Sequence, residues 1–208
     1  MPFRQKYIQL ENPCWPPTSV RANVIYNSIA RTISNATSDS KNCVFNNMQQ
    51  LAADFDSSCF SYLGSQATYD KWHSQWVHNL TQIPFSWNDK NGSSHHYLTL
   101  GIAQKLLNLS IKDWWALAPN AQQVNHGLEC LHAPMDRVVY TATSRFICPL
   151  NSLIGKYGMK SYLYNVTCMD YLIYQQHLAQ LAGGLSKALN LSKPLLRIEI
   201  DQLLWGWV

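Results

Sequence analysis

From position 20 to position 117 the apolar residues of this chain keep a helical spacing, broken at 84–94, and then change period, and that change limits the fold more than any single residue does. Val20, Val24, Ile25, Ile29 and Ile33 share one helical face, so "SVRANVIYNSIARTI" predicts an amphipathic helix. A second helix, capped by Ser40, carries Val44, Met48, Leu51, Ala52 and Phe55 on one side, and a third, "ATYDKWHSQWVHNL", aligns Tyr69, Trp72, Trp76 and Leu80. Two more are expected from His96 to Leu109 and from Ser110 to Leu117, the latter with Asp113 three residues after its Ser cap. Beyond them "RVVYTATSRFIC" is dense in β-branched and aromatic residues and "KSYLYNVT" alternates. "LLRIEID" sends Leu196, Ile198 and Ile200 one way and Arg197, Glu199 and Asp201 the other. These three stretches predict strands with one wet face, with "KYIQLE" near the start as a further short one. Between the last two lies a helix from Thr167, with Tyr171, Tyr174, Leu178, Leu181 and Leu185 in an apolar row and a kink expected at Gly183-Gly184.

The expected fold is therefore α+β: a helix-rich N-terminal half packed on a small antiparallel or mixed sheet formed mainly by the C-terminal half. One domain spanning 1–208 accounts for the pattern. A soft boundary falls at 84–94, where Pro84 and "SWNDKNGSS" interrupt the helices.

Charged residues make up only 13% of the chain, about half the usual share, while aromatics reach 12% with eight Trp. Such a chain must face water with Asn, Gln, Ser, Thr and Tyr. Few charges and many aromatics also mark the centres of protein–protein interfaces, the other reading being a large aromatic core. The 16 Lys and Arg, net +4, are scattered singly and leave no basic run for nucleic acid. Segments 20–33 and 169–191 are apolar on one face only, so no membrane insertion is expected, and "MPFRQKYIQLENP" lacks the apolar stretch of a signal peptide. The expected location is cytoplasmic, with membrane association only through a complex.

Six cysteines, at 14, 43, 59, 130, 148 and 168, read as free, mostly buried thiols. Their even number also permits three disulfides. Six N-x-S/T sequons, at Asn35, Asn79, Asn91, Asn108, Asn165 and Asn190, keep open the alternative of a secreted, disulfide-bonded glycoprotein.

Candidate chemistry concentrates in "NHGLECLH". His126 and Cys130 lie four apart and would share a helical face, with His132 and Glu129 beside them. Sulfur with imidazole is a zinc donor set, so His126, Cys130 and His132 form a metal alternative, though no cofactor is expected. The same three residues define the enzyme alternative, a thiol-dependent hydrolase or transferase with Cys130 as nucleophile and His126 or His132 as base. No G-x-S-x-G, P-loop, G-x-G-x-x-G, H-E-x-x-H or C-x-x-C occurs. Among the aromatics, Trp72 and Trp76 read as core. Trp114 and Trp115, adjacent and so about 100° apart on a helix, cannot both face one narrow core. The chain then ends on Leu203, Leu204, Trp205 and Trp207, where alternation has stopped. Trp114, Trp115, Leu203, Leu204, Trp205 and Trp207 are thus the expected partner-binding anchors.

In size and in Asn-, Gln- and Leu-rich character, through stretches such as "SVRANVIYNSIARTI" and "LLRIEIDQLLWGWV", the chain resembles the small adaptor subunits of bacterial type IVB secretion coupling complexes. That resemblance implies a cytoplasmic, virulence-associated protein that docks on a coupling ATPase beside small chaperones and helps receive effector proteins. It transfers no residue role, and the +4 charge departs from the usual acidity of secretion chaperones. The leading expectation is a non-enzymatic adaptor in a protein hetero-complex.

Overall fold

The structure, a computed structural model, describes residues 36–84, 86–88, 94–117, 126–135 and 165–205, together with positions 33, 92, 121, 123, 124 and 139. Helix accounts for 72% of them. Helix α1 (Ser38–Tyr62) starts from Thr37, whose side chain accepts from the Ser40 N–H, so the cap lies three residues before the expected Ser40. It buries the whole expected row, Val44, Met48, Leu51, Ala52 and Phe55, and adds Cys59 one turn later. Helix α2 (Gln66–Thr81) is capped by Ser65 and turns Tyr69, Trp72, Val77 and Leu80 inward, with His73 among them.

A hairpin of two-residue strands follows, β1 (Trp87–Asn88) antiparallel to β2 (Ser94–His95), with Trp87 paired to His95. Trp87 is buried, stacks on His95 and donates its indole N–H to the Tyr97 carbonyl. The interruption expected at 84–94 is thus a hairpin held to the core by one tryptophan.

The two helices expected at 96–109 and 110–117 are a single helix, α3 (Leu100–Leu117). Ser110 does not cap; its hydroxyl donates back to the Leu106 carbonyl inside the turn. Ile102, Ala103, Leu106, Leu107, Ile111, Trp114 and Trp115 bury almost completely on several sides of α3, as expected of a helix wrapped by neighbours rather than laid on a surface. Helices α1 and α2 pack against it.

After a short 3₁₀ turn (Leu128–Cys130) and the buried extended stretch 131–135, helix α4 (Cys168–Ala188) begins at Thr167, which accepts from the Asp170 N–H. Tyr171, Tyr174 and Leu178 are buried as the spacing predicts. The helix is continuous through Gly183-Gly184 and ends with Asn190 at φ +49, where the Leu191 N–H reaches the Ser186 carbonyl and the Asn190 N–H that of Lys187.

The expectation of an α+β fold is overturned: helices span the described chain, and its one sheet is the small hairpin. "LLRIEID" is not a strand but the start of α5 (Arg197–Trp205). Its alternation misled because Arg197 and Asp201, four residues apart on one helical face, are themselves buried. The Asp201 carboxylate pairs with Lys112 of α3, and the Arg197 guanidinium donates to the Gln66 side chain and to the carbonyls of Glu129 and Cys130. Glu199 reaches back 2.8 Å to the Leu196 N–H, the acidic half of a capping box. The strands expected at 137–148 and 160–167 fall almost wholly outside the described residues, as do "KYIQLE" and the helix expected at 19–33 apart from the buried Ile33. Two apolar clusters form the core, one among α1, α2 and α3, the other between α4, α5 and the residues Ala133, Met135 and Val139; Ile198 belongs to the first and Ile200 and Leu204 to the second.

Candidate functional site: a buried polar network and its cavity

The stretch Leu131–Met135 is buried without regular structure, so its backbone groups must find partners inside the protein. Side-chain amides supply them. Gln175 of α4 accepts from the Ala133 N–H at 3.0 Å and donates to the Ala133 carbonyl at 2.9 Å, pairing with the backbone as a neighbouring strand would. Asn108 of α3 also donates to the Ala133 carbonyl, and Gln104, one turn earlier, donates to that of Met135. These three amides are what allow an irregular segment to lie in the interior.

His132 sits in the middle of this stretch, with one nitrogen 2.9 Å from Asp70 Oδ1 and the other 2.8 Å from the Tyr171 hydroxyl. A carboxylate can only accept, so His132 Nε2 carries the proton and Nδ1 accepts from Tyr171. The phenol oxygen in turn accepts from the Asn108 amide at 2.9 Å, and the Asn108 carbonyl accepts from His73 Nε2–H, also at 2.9 Å. Every donor direction from His73 to Asp70 is therefore fixed. Burial pulls the His132 imidazole down to about 4, outweighing the upward pull of Asp70, and holds His73 well below the ordinary histidine range. Burial pushes the Tyr171 phenol up. Burial also acts upward on Asp70, but hydrogen bonds from His132 and Gln66 bring its carboxyl below the usual carboxylate range. At neutral pH both imidazoles are neutral, and no member of the chain is an activated nucleophile.

Beyond His73 and Tyr171 lies a cavity of about 200 Å³ between α2, the start of α3 and the start of α4. Val77 and Leu100 contribute its apolar lining. Ser74, His78, Thr81 and Cys168 line it as well, and Cys168 and His78 are exposed to solvent.

Several expected site residues lie elsewhere than anticipated. Trp114 and Trp115 are not surface anchors: both are buried, Trp114 donating 2.8 Å to Asp56 and packing edge-on against Phe55. Two directions 100° apart are both interior here because α3 has neighbours around it. Leu204 is core and Leu203 packs beside it; Trp205 ends α5, and Trp207 lies outside the described residues. His126 is exposed and Cys130 is buried, and His132 has both nitrogens engaged with Asp70 and Tyr171, so His132 is not free to serve Cys130 as a base. Burial also pushes the Cys130 thiol up, with Glu129 adding to the shift, the opposite of an activated thiolate. Among the described residues no three His, Cys, Asp or Glu side chains are placed to hold a metal ion. Cys43, Cys59, Cys130 and Cys168 are free thiols, two exposed and two buried.

Reasoning from sequence missed His73, Asn108, Gln104, Gln175 and Tyr171 as a set. One signal was present: Gln104 and Asn108 stand four apart in the otherwise apolar "GIAQKLLNLSI" and so mark one polar stripe on a buried helix. No protein-family model matches this chain, and no curated protein or solved structure shows a similarity from which a family follows.

Proposed function

We propose that this chain is a non-enzymatic interaction subunit of a larger protein assembly. The observation that carries the reading is where its reactive groups and its apolar groups lie. Cys130 and His132, the best chemical candidates in the sequence, are consumed in the interior, while Phe60, Tyr97, Met169 and Leu189, at separate places on the surface, stand more than half exposed in a chain with only 13% charged residues. A protein partner suits this surface better than a nucleic acid. The scattered basic residues are fewer on the outside than in the sequence, since Lys112 and Arg197 are buried.

The secreted-glycoprotein alternative is weakened because one sequon, Asn108, is fully buried and hydrogen-bonded on both sides of its amide, and four of the six cysteines are free. The resemblance noted above makes a secretion coupling complex the assembly we favour. Purification of the tagged chain from its native cell, with mass spectrometry and light scattering of the eluate, tests both statements. Stoichiometric recovery with other subunits supports the proposal, and their identity reads the assembly. A clean monomer at native concentration ends it.

A further inference from the structure

The cavity beside the network has a chemistry that follows from its lining. His73 is 1% exposed, and its Nε2–H is committed to Asn108, while no described residue hydrogen-bonds its Nδ1. The only hydrogen bond His73 can offer a ligand is therefore as an acceptor through Nδ1. Tyr171, the other buried polar group of the lining, already donates to His132 and accepts from Asn108. Among the described residues no carboxylate, Lys or Arg lines the space, and Val77 and Leu100 give it apolar surface. An apolar cavity of about 150 Å³ takes one benzene ring, so the roughly 200 Å³ here suits a single ring with a small substituent.

We propose that this cavity is a binding site for a small neutral molecule: one apolar ring carrying a single hydroxyl or N–H donor, which it gives to His73 Nδ1. Binding of a small molecule here is read on the isolated chain, so it stands or falls independently of the adaptor reading. Cys168, exposed and lining the same cavity, reports occupancy, and Cys43, exposed on α1, is a control within the same molecule.

Phenol is the probe, and the experiment follows alkylation of the native protein by iodoacetamide at fixed pH, with each cysteine resolved by peptide mapping. In that reaction the thiolate sulfur forms an S–C bond, the C–I bond breaks and iodide leaves. A probe at ten times its dissociation constant leaves about one site in eleven open, so the Cys168 rate should fall about tenfold while the Cys43 rate stays constant. Toluene, the same ring without a donor, should protect more weakly. Ser74→Trp, a half-buried position that tolerates bulk toward solvent, should slow Cys168 without probe and abolish the response to phenol; Val77→Phe serves if that variant misfolds. Unchanged Cys168 alkylation up to the phenol concentration that unfolds the protein, or equal slowing of Cys168 and Cys43, would overturn the site. Equal protection by toluene would overturn the role of His73 Nδ1.

Discussion

His132 is neutral in the folded protein because nothing in its surroundings compensates for lost hydration, even with Asp70 at 2.9 Å. A histidine whose folded value lies near 4, below the unfolded value of about 6.5, binds its proton more readily when unfolded. Its contribution to stability is complete above about pH 6.5 and is lost as pH falls toward 4, by about 3 kcal/mol in all and about 2 kcal/mol by pH 5. The lowered values of His73 and Asp70 act in the same direction. Urea unfolding at pH 7 and pH 5 should show the loss, and His132→Gln, less stable at pH 7, should show a shallower dependence; equal slopes would remove His132 from the account. Gln175→Leu should cost about 1–3 kcal/mol at every pH, because the Ala133 N–H loses its buried acceptor while the carbonyl keeps Asn108. A third residue-level constraint sits at Gly127, whose φ is +82 and whose missing Cβ would lie 2.2 Å from the Leu63 carbonyl oxygen. Gly127→Ala should destabilise by about 2–4 kcal/mol, read as a lower urea midpoint at unchanged slope.

Among the elements, α5 has the least local support and the most tertiary support. It is short, its Arg197 and Asp201 are unusual for buried positions, and each is matched by a group far away in sequence. Arg197→Ala should cost about 1–3 kcal/mol, since the Glu129 carbonyl loses its charged donor and the Cys130 carbonyl is left with Gln66 alone. Deleting residues 203–208 removes buried Leu204 and should lower stability by at least the roughly 2–5 kcal/mol of a buried Leu→Ala change. Unfolding measured on that truncation decides between a core helix and a free tail: an unchanged midpoint would return residues 203–208 to the surface. Helices α1 and α2 are the opposite case, carrying their own caps at Thr37 and Ser65 and a full apolar row.

At the scale of the molecule, the burial of thiols offers a test of the whole arrangement. Cys43 and Cys168 should react rapidly with a disulfide reagent in the native state, and Cys59 and Cys130 only on unfolding; early labelling of Cys130 would mean that the 128–135 stretch opens. No described helix is long and apolar enough to cross a membrane. What was legible in the sequence was the set of features that repeat locally: the apolar faces of α1 and α2, the buried row at the start of α4 and the break at 84–94 all follow from neighbours a few positions apart. What was not legible depended on residues that meet only in three dimensions. Lys112 and Asp201 are 89 residues apart, and Arg197 and Gln66 are 131 apart. Alternation of charge with leucine and isoleucine predicts a wet strand face when solvent is the only partner considered, and it becomes a buried helix face when distant groups take over from water. The same reason hid the network: His73, Asn108, His132 and Tyr171 are ordinary polar residues on four separate segments, and only packing makes each one's lost hydration the others' hydrogen bond.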